Sequence, residues 1–191
     1  MVRSLSLSPH LHTEVGSVVV AIARTAISRT LGVPSGTDET APWLWRPGAS
    51  FVTLRCEGEL RGCIGTLEAR RTLLEDVKAN AVAAALCDAR FPPLQRGEWP
   101  ATRLEVSILS PLEPIQFDDE AGALARLRPG VDGMAFQSGA YRSTFRPKVW
   151  ESLPEPREFM AHLKRKARLP ADFWSDEVEL LRYTVEEFRE H

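Results

Sequence analysis

Phe51-Val52-Thr53-Leu54-Arg55-Cys56-Glu57-Gly58-Glu59-Leu60-Arg61-Gly62-Cys63-Ile64-Gly65-Thr66 is the stretch around which the chain is organised. Val52, Leu54 and Cys56 share one face of a first strand. Leu60, Gly62 and Ile64 continue an apolar face on a second, with Arg61, Cys63 and Gly65 on the other. Glu57-Gly58 is a turn signal between them, so the spacing predicts an antiparallel hairpin. Two demands on its register compete. A two-residue loop sets Val52 and Leu54 on the side of Cys63 and Arg61, whereas a slip by one residue gathers Val52, Leu54, Leu60 and Ile64. Burial favours the slip. That register sets Cys63 across from Thr53 and Arg61 across from Arg55, two guanidiniums beside one thiol. Gly62 and Gly65 flank the cysteine, and glycine weakens a strand interior, so something must approach the backbone closely there.

Upstream, Val15, Val18, Val19, Ile22, Ala26 and Ile27 repeat with helical period from Thr13, and Gly32 and Pro34 end the run. Residues 1–10 read as a loose lead. Residues 33–49 read as a loop packed down by Trp43 and Trp45. Downstream, Thr72-Leu73-Leu74-Glu75 is a capping box opening a helix to about Asp88. Leu73, Val77, Asn80, Ala81, Ala84 and Asp88 share one stripe of it, so Asn80 and Asp88 face inward and need partners. Arg103–Ser110 alternates as a strand, and Asp118-Asp119-Glu120 starts a short helix to Leu127. A second hairpin turns at Ser138-Gly139, Glu155–Arg168 is a helix whose basic end, Lys164 to Arg168, reads as solvated, and Val178–Val185 is a last strand. Helices interleave with antiparallel hairpins and no βαβ glycine signature occurs. The fold class is therefore α+β: a largely antiparallel sheet flanked by helices, with a small subdomain. Residues 1–14 form a lead, and residues 15–191 a single domain.

The composition narrows the function. The 191 residues are 43% hydrophobic and 26% charged with a net charge of −2, typical of a soluble globular protein and giving no global pull toward nucleic acid or anionic membrane. No apolar run approaches the roughly 18 residues of a membrane span, and the N-terminus lacks a secretory pattern. Cys56, Cys63 and Cys87 are odd in number and widely spaced, which fits a reducing compartment, the cytoplasm.

Laid out in order, these blocks resemble the AMMECR-one domain family, protein A of the AmmeMemoRadiSam system. The residues that carry the resemblance are the heptad Leu60–Thr66, then Asn80-Ala81, Asp88-Ala89-Arg90-Phe91-Pro92-Pro93, Glu105–Leu109 and Gly130–Gly133. Thr144-Phe145, Pro147, Val149-Trp150, Phe159, Leu163, Lys166-Ala167 and Leu169 extend it, so the likeness spans about residues 15 to 185. The chain departs from the family at Ala89 (usually proline), at Arg146 and Lys148 (usually leucine and glutamine), and at Arg168 (usually glycine). The resemblance implies genetic association with a Memo-like protein and a radical SAM protein. It brings no established reaction, and the cofactor stays unknown.

Two functional classes follow. In the first, an enzyme or ligand-binding protein acts on a small anionic or carbonyl molecule. Cys63 is its nucleophile or redox thiol, Arg61 and Arg55 form an anion clamp, and Asn80, Asp88 and Arg90 position the ligand. In the second, the heptad is an interaction strand of a non-catalytic partner of the Memo-like and radical SAM proteins. Against the first stands a structural alternative, with Cys63 a small buried filler and Arg61 paired to Asp88 or a glutamate. His10, His12, His162 and His191 offer no evident base for Cys63, and His10-x-His12 lacks the further ligands of a metal site. Asp88 and Arg90 gain weight only if their loop folds back onto the Cys63 strand.

Overall fold

The computed structural model describes residues 9–190, with side chains from Glu14 onward. Of the expected lead over residues 1–14, residues 1–8 lie outside the described residues, and the chain is already helical from Pro9. In chain order the first elements are α1 (Pro9–Thr30), β1 (Pro47–Cys56), β2 (Glu59–Gly65), β3 (Arg71–Thr72), α2 (Leu73–Leu86) and β4 (Thr102–Leu109). Then come β5 (Glu113–Pro114), α3 (Glu120–Ala125), β6 (Gly133–Ser138), β7 (Tyr141–Phe145), α4 (Pro156–Lys166), β8 (Val178–Tyr183) and β9 (Val185–Arg189). Among the described residues, four α-helices and two antiparallel sheets make an α+β fold. The chain divides into two compact units, one running to Pro111 and resumed from Glu186, the other Leu112–Val185.

The first unit is built on the sheet β2-β1-β4-β9, with β3 paired to the start of β1. Helices α1 and α2 cover it and bury Val19, Ile22, Ile27, Val77, Ala81 and Ala84 with Val52, Leu54, Leu104 and Val106 of the strands. The capping box at α2 is formed: Thr72 Oγ1 accepts from the Glu75 amide at 3.3 Å, and Glu75 accepts from the Thr72 amide at 3.1 Å. Helix α1 begins earlier than its apolar period, at Pro9, a residue suited to a first helical turn. The loop before β1 is anchored differently from expectation. Leu44, in a 3-10 turn over Pro42–Trp45, is the fully buried residue, Trp43 packs only in part, and Trp45 stands exposed.

The second unit carries the sheet β5-β8-β6-β7 with α3 and α4. Its core joins Met134, Phe136 and Leu180 to Phe159, Met160 and Leu163, with Trp150 stacked on Phe159 at 3.7 Å. Two expectations are corrected here. The single last strand over Val178–Val185 is two strands in different sheets, because alternation fails after Leu180 and Tyr183 turns inward. The basic end of α4 is not all solvated, since Lys164 is fully buried.

Candidate functional site

The hairpin resolves the competing register demands by satisfying both. Glu57 and Gly58 adopt φ of 53° and 87°, the positive values of a tight hairpin turn, so Cys56 pairs with Glu59 and Arg55 with Leu60. A bulge then inserts Arg61, and beyond it Leu54 pairs with Gly62, Thr53 with Cys63 and Val52 with Ile64. The expected facing of Cys63 and Thr53 is present. The expected facing of Arg61 and Arg55 is not, because Arg61 is the extra residue.

The two glycines answer to packing. A Cβ on Gly62 would collide with the Ala84 carbonyl oxygen of α2, and one on Gly65 with the Phe51 ring. The close approach inferred from the sequence is thus the alanine face of α2 and an aromatic side chain.

The arginines divide in a way the sequence did not show. Arg55 is exposed and donates to the Gly58 carbonyl at 3.2 Å, holding its own turn. Arg61 forms a bidentate pair with Glu98, Nε to Oε1 at 2.7 Å and Nη2 to Oε2 at 3.1 Å. That hydrogen bonding raises the Arg61 pKa and lowers that of Glu98. The guanidinium beside Cys63 belongs to Arg90 instead.

The loop after α2 does fold back onto the cysteine strand. The Cys63 amide donates to Asp88 Oδ2 at 2.8 Å, and Arg90 Nη2 donates to the Cys63 carbonyl at 3.3 Å. Asp88 and Arg90 are tied to each other at 2.6 and 2.9 Å. The Arg90 guanidinium, helped by the amides of Cys63 and Arg90, holds the Asp88 carboxyl far below the usual carboxylate range. Both backbone polar groups of Cys63 therefore point away from β1, which brings its side chain close to its partner on that strand. Thr53 Oγ1 donates to Cys63 Sγ at 3.3 Å, and the thiol is half-buried.

A second polar group sits at the other end of β2. Asp76 is buried, and five donors saturate its carboxylate. Oδ1 accepts from Thr66 Oγ1 at 2.7 Å and Arg71 Nε at 2.9 Å. Oδ2 accepts from the Ser50 amide at 2.8 Å, Ser50 Oγ at 2.7 Å and Asn80 Nδ2 at 2.8 Å. Asn80 is thus a partner of Asp76 and the β1 backbone, four residues from Asp76 on the same helix, and not a neighbour of Cys63 in any hydrogen bond. Sequence reasoning found Asn80 and missed Asp76, Ser50, Arg71 and Glu98. The usable signal was the spacing of Asp76 and Asn80 on one face of α2. A cavity of about 350 Å³ opens beside this group, lined by Thr66, Leu67, Glu68, Arg70, Arg71 and Asp76.

His162 is exposed on α4 of the second unit, and the side chains of His10, His12 and His191 lie outside the described residues. Among the described residues no cluster of three or more metal-ligating side chains exists. No described helix is long and apolar enough to cross a membrane.

With the heptad strand, the returning Asp88-Arg90 loop and the two-sheet fold in place, comparison with known proteins is decisive. Residues 20–188 match the AMMECR1 family. The chain belongs to that family. A protein of Methanothermobacter thermautotrophicus is 34% identical over 192 residues, covering 94% of this chain and 96% of its own. A Thermotoga maritima protein is 36% identical over 156 residues, covering 80% and 84%. The crystal structure of the uncharacterized protein PH0010 from Pyrococcus horikoshii is similar at a TM-score of 0.83 and 32% identity, covering 94% of this chain and 93% of that one. The family match thus takes in residues of both units, and the names of these relatives state no reaction.

Proposed function

We propose that this AMMECR1 chain, as one domain over residues 15–191, handles a small anionic or carbonyl molecule at the heptad strand, with the Cys63 thiol as the group that meets it. One observation carries the reading. Among the polar heptad side chains, Arg61 is committed to Glu98 and Thr66 to Asp76, while among the described residues the Cys63 sulfur receives only the Thr53 hydroxyl. A backbone clasped on both sides and a hydroxyl donor on the sulfur hold the thiol in one place, as a group that must meet a bound molecule requires. Arg90 brings a guanidinium to the Cys63 carbonyl, and Arg61 stiffens the bulge from which the strand leads to Cys63. Under this reading the chain works in the cytoplasm beside the Memo-like and radical SAM proteins that the family resemblance implies.

The test is the alkylation rate of each cysteine in native protein, resolved by mass spectrometry across pH. Half-buried Cys56 and exposed Cys87 are internal controls, and urea-unfolded chain is the reference. Cys63 is expected to label faster than exposed Cys87, with the advantage lost on unfolding. Protection of Cys63, or labelling no faster than its controls, removes the thiol from the function and leaves the non-catalytic partner as the working description.

A further inference from the structure

The group at the Thr66 end of β2 has a different chemistry from the cysteine and does not depend on it. Asp76 has a side chain only 1% exposed, and without Arg71 it still accepts four hydrogen bonds from Ser50, Thr66 and Asn80. A carboxylate so supplied does not need a guanidinium to satisfy its oxygens. Arg71 nevertheless reaches it, through Nε at 2.9 Å, and its Nη2 reaches Asn80 Oδ1 at 3.4 Å. Those contacts occupy one side edge of the guanidinium and fix its plane. Among the described residues its terminal edge, with the Nη1 hydrogens, meets no hydrogen-bond partner, and the side chain is 37% exposed where it lines the cavity.

We propose that the cavity at the Thr66 end of β2 is a subsite for a small monocarboxylate, with Arg71 as the binding residue and Asp76 and Asn80 as positioning residues. A guanidinium held in plane by buried partners presents a rigid fork that matches the two oxygens of a carboxylate. Pre-orientation lowers the ordering cost of binding, as outer hydrogen bonds do for ligands of a metal. Charge selects among anions. The lining carries Arg70 and Arg71 against Glu68 and Asp76, and Arg70 is already paired with Glu68 at 2.7 Å. A lining so balanced suits a singly charged group and disfavours a doubly charged phosphate. The volume of about 350 Å³ lies at the low end for ligand cavities, the size of a small organic acid.

The experiment is a titration of nitrogen-15-labelled protein with sodium acetate and sodium benzoate at constant ionic strength, following the arginine Nε–H signals by NMR. Inorganic phosphate and chloride run as separate arms. The Arg71 signal, identified by its loss in Arg71→Lys, is expected to shift saturably with either carboxylate. Binding read from backbone amides around Thr66 should weaken at least tenfold in Arg71→Lys, which keeps the charge and loses the fork, while Arg70→Lys binds as wild type. Matched melting temperatures establish that the variants fold. A linear, unsaturable shift overturns the proposal, as does equal binding by Arg71→Lys or tighter binding of phosphate than of carboxylate. The cysteine-labelling result stands or falls separately, since it reads a different atom.

Discussion

Asp76 in the first unit and Lys164 in the second are mirror images in charge and burial. Asp76 is 1% exposed and pairs with an arginine that is 37% exposed. Lys164 is 0% exposed and pairs at 2.5 Å with Glu120, which is 38% exposed. The difference lies in what else each buried group meets. Asp76 accepts from Ser50 of β1, from Thr66 just past β2 and from Asn80 of α2, and its surface partner borders a cavity. Lys164 has one further acceptor, the Ala171 carbonyl at 3.2 Å, and the face of Trp174 at 5.3 Å from its nitrogen. One pair organises its surroundings and points outward. The other closes a core.

Removing each buried charge should expose that asymmetry. Asp76→Ala strands buried donors of Ser50, Thr66 and Asn80 together with a tethered guanidinium, and should cost about 3–5 kcal/mol in urea unfolding. A loss under about 1 kcal/mol would mean that the network is ornamental. Asp88→Asn comes next, at about 1–2 kcal/mol near neutral pH, reduced because its partner Arg90 is 56% exposed and screened. Its sign with pH is fixed by the lowered Asp88 pKa. The stabilisation is present above the ordinary carboxylate value near 4 and is lost as pH falls through the lower folded value. Acid unfolding of Asp88→Asn should therefore begin from a lower plateau with a shallower slope, which a stability series from pH 6 to pH 2 would measure.

Lys164→Met should cost only about 1 kcal/mol, since Glu120 can return to water and methionine fills the buried space of the lysine stem with an apolar chain. A loss as large as that of Asp76→Ala would erase the contrast between the two charges. The smallest change is a gain. Arg168 closes α4 at φ 65°, a conformation that favours glycine, and its amide donates to the Arg165 carbonyl at 2.9 Å. Arg168→Gly should raise stability by about 0.5–1 kcal/mol, seen as a small upward shift in melting temperature.

The alternation of Val52 with Leu54 and of Leu104 with Val106 made the central strands legible, and Thr72 to Glu75 marked the start of α2 to the residue. The stripe correctly announced Asn80 as a buried polar group, because helical period reports which way a side chain points, whereas the helix expected to reach Asp88 ends at Leu86 and Asp88 is buried from the loop beyond it. What the sequence could not supply was their partners. Arg61 meeting Glu98 and Arg90 reaching back to Cys63 are contacts between residues far apart in the chain, set by a bulge and a returning loop. The bulge itself was hidden in a visible conflict: turn chemistry and burial demanded registers one residue apart, and an inserted arginine reconciles them. Lys164 was misjudged with its basic neighbours because local charge says nothing about Glu120 arriving from another helix.

The Asp88-Arg90 clasp has one more consequence. Strand β2 stands at the border of its sheet, and the border of a sheet is where a foreign extended chain can attach itself. At Cys63 the amide and the carbonyl that such a chain would need are both held by side chains of the same molecule. At that position the two residues thus imitate a neighbouring strand and hold the backbone groups a second copy would grasp. Loss of the clasp should show itself first as concentration-dependent clumping on storage, before any change in melting behaviour.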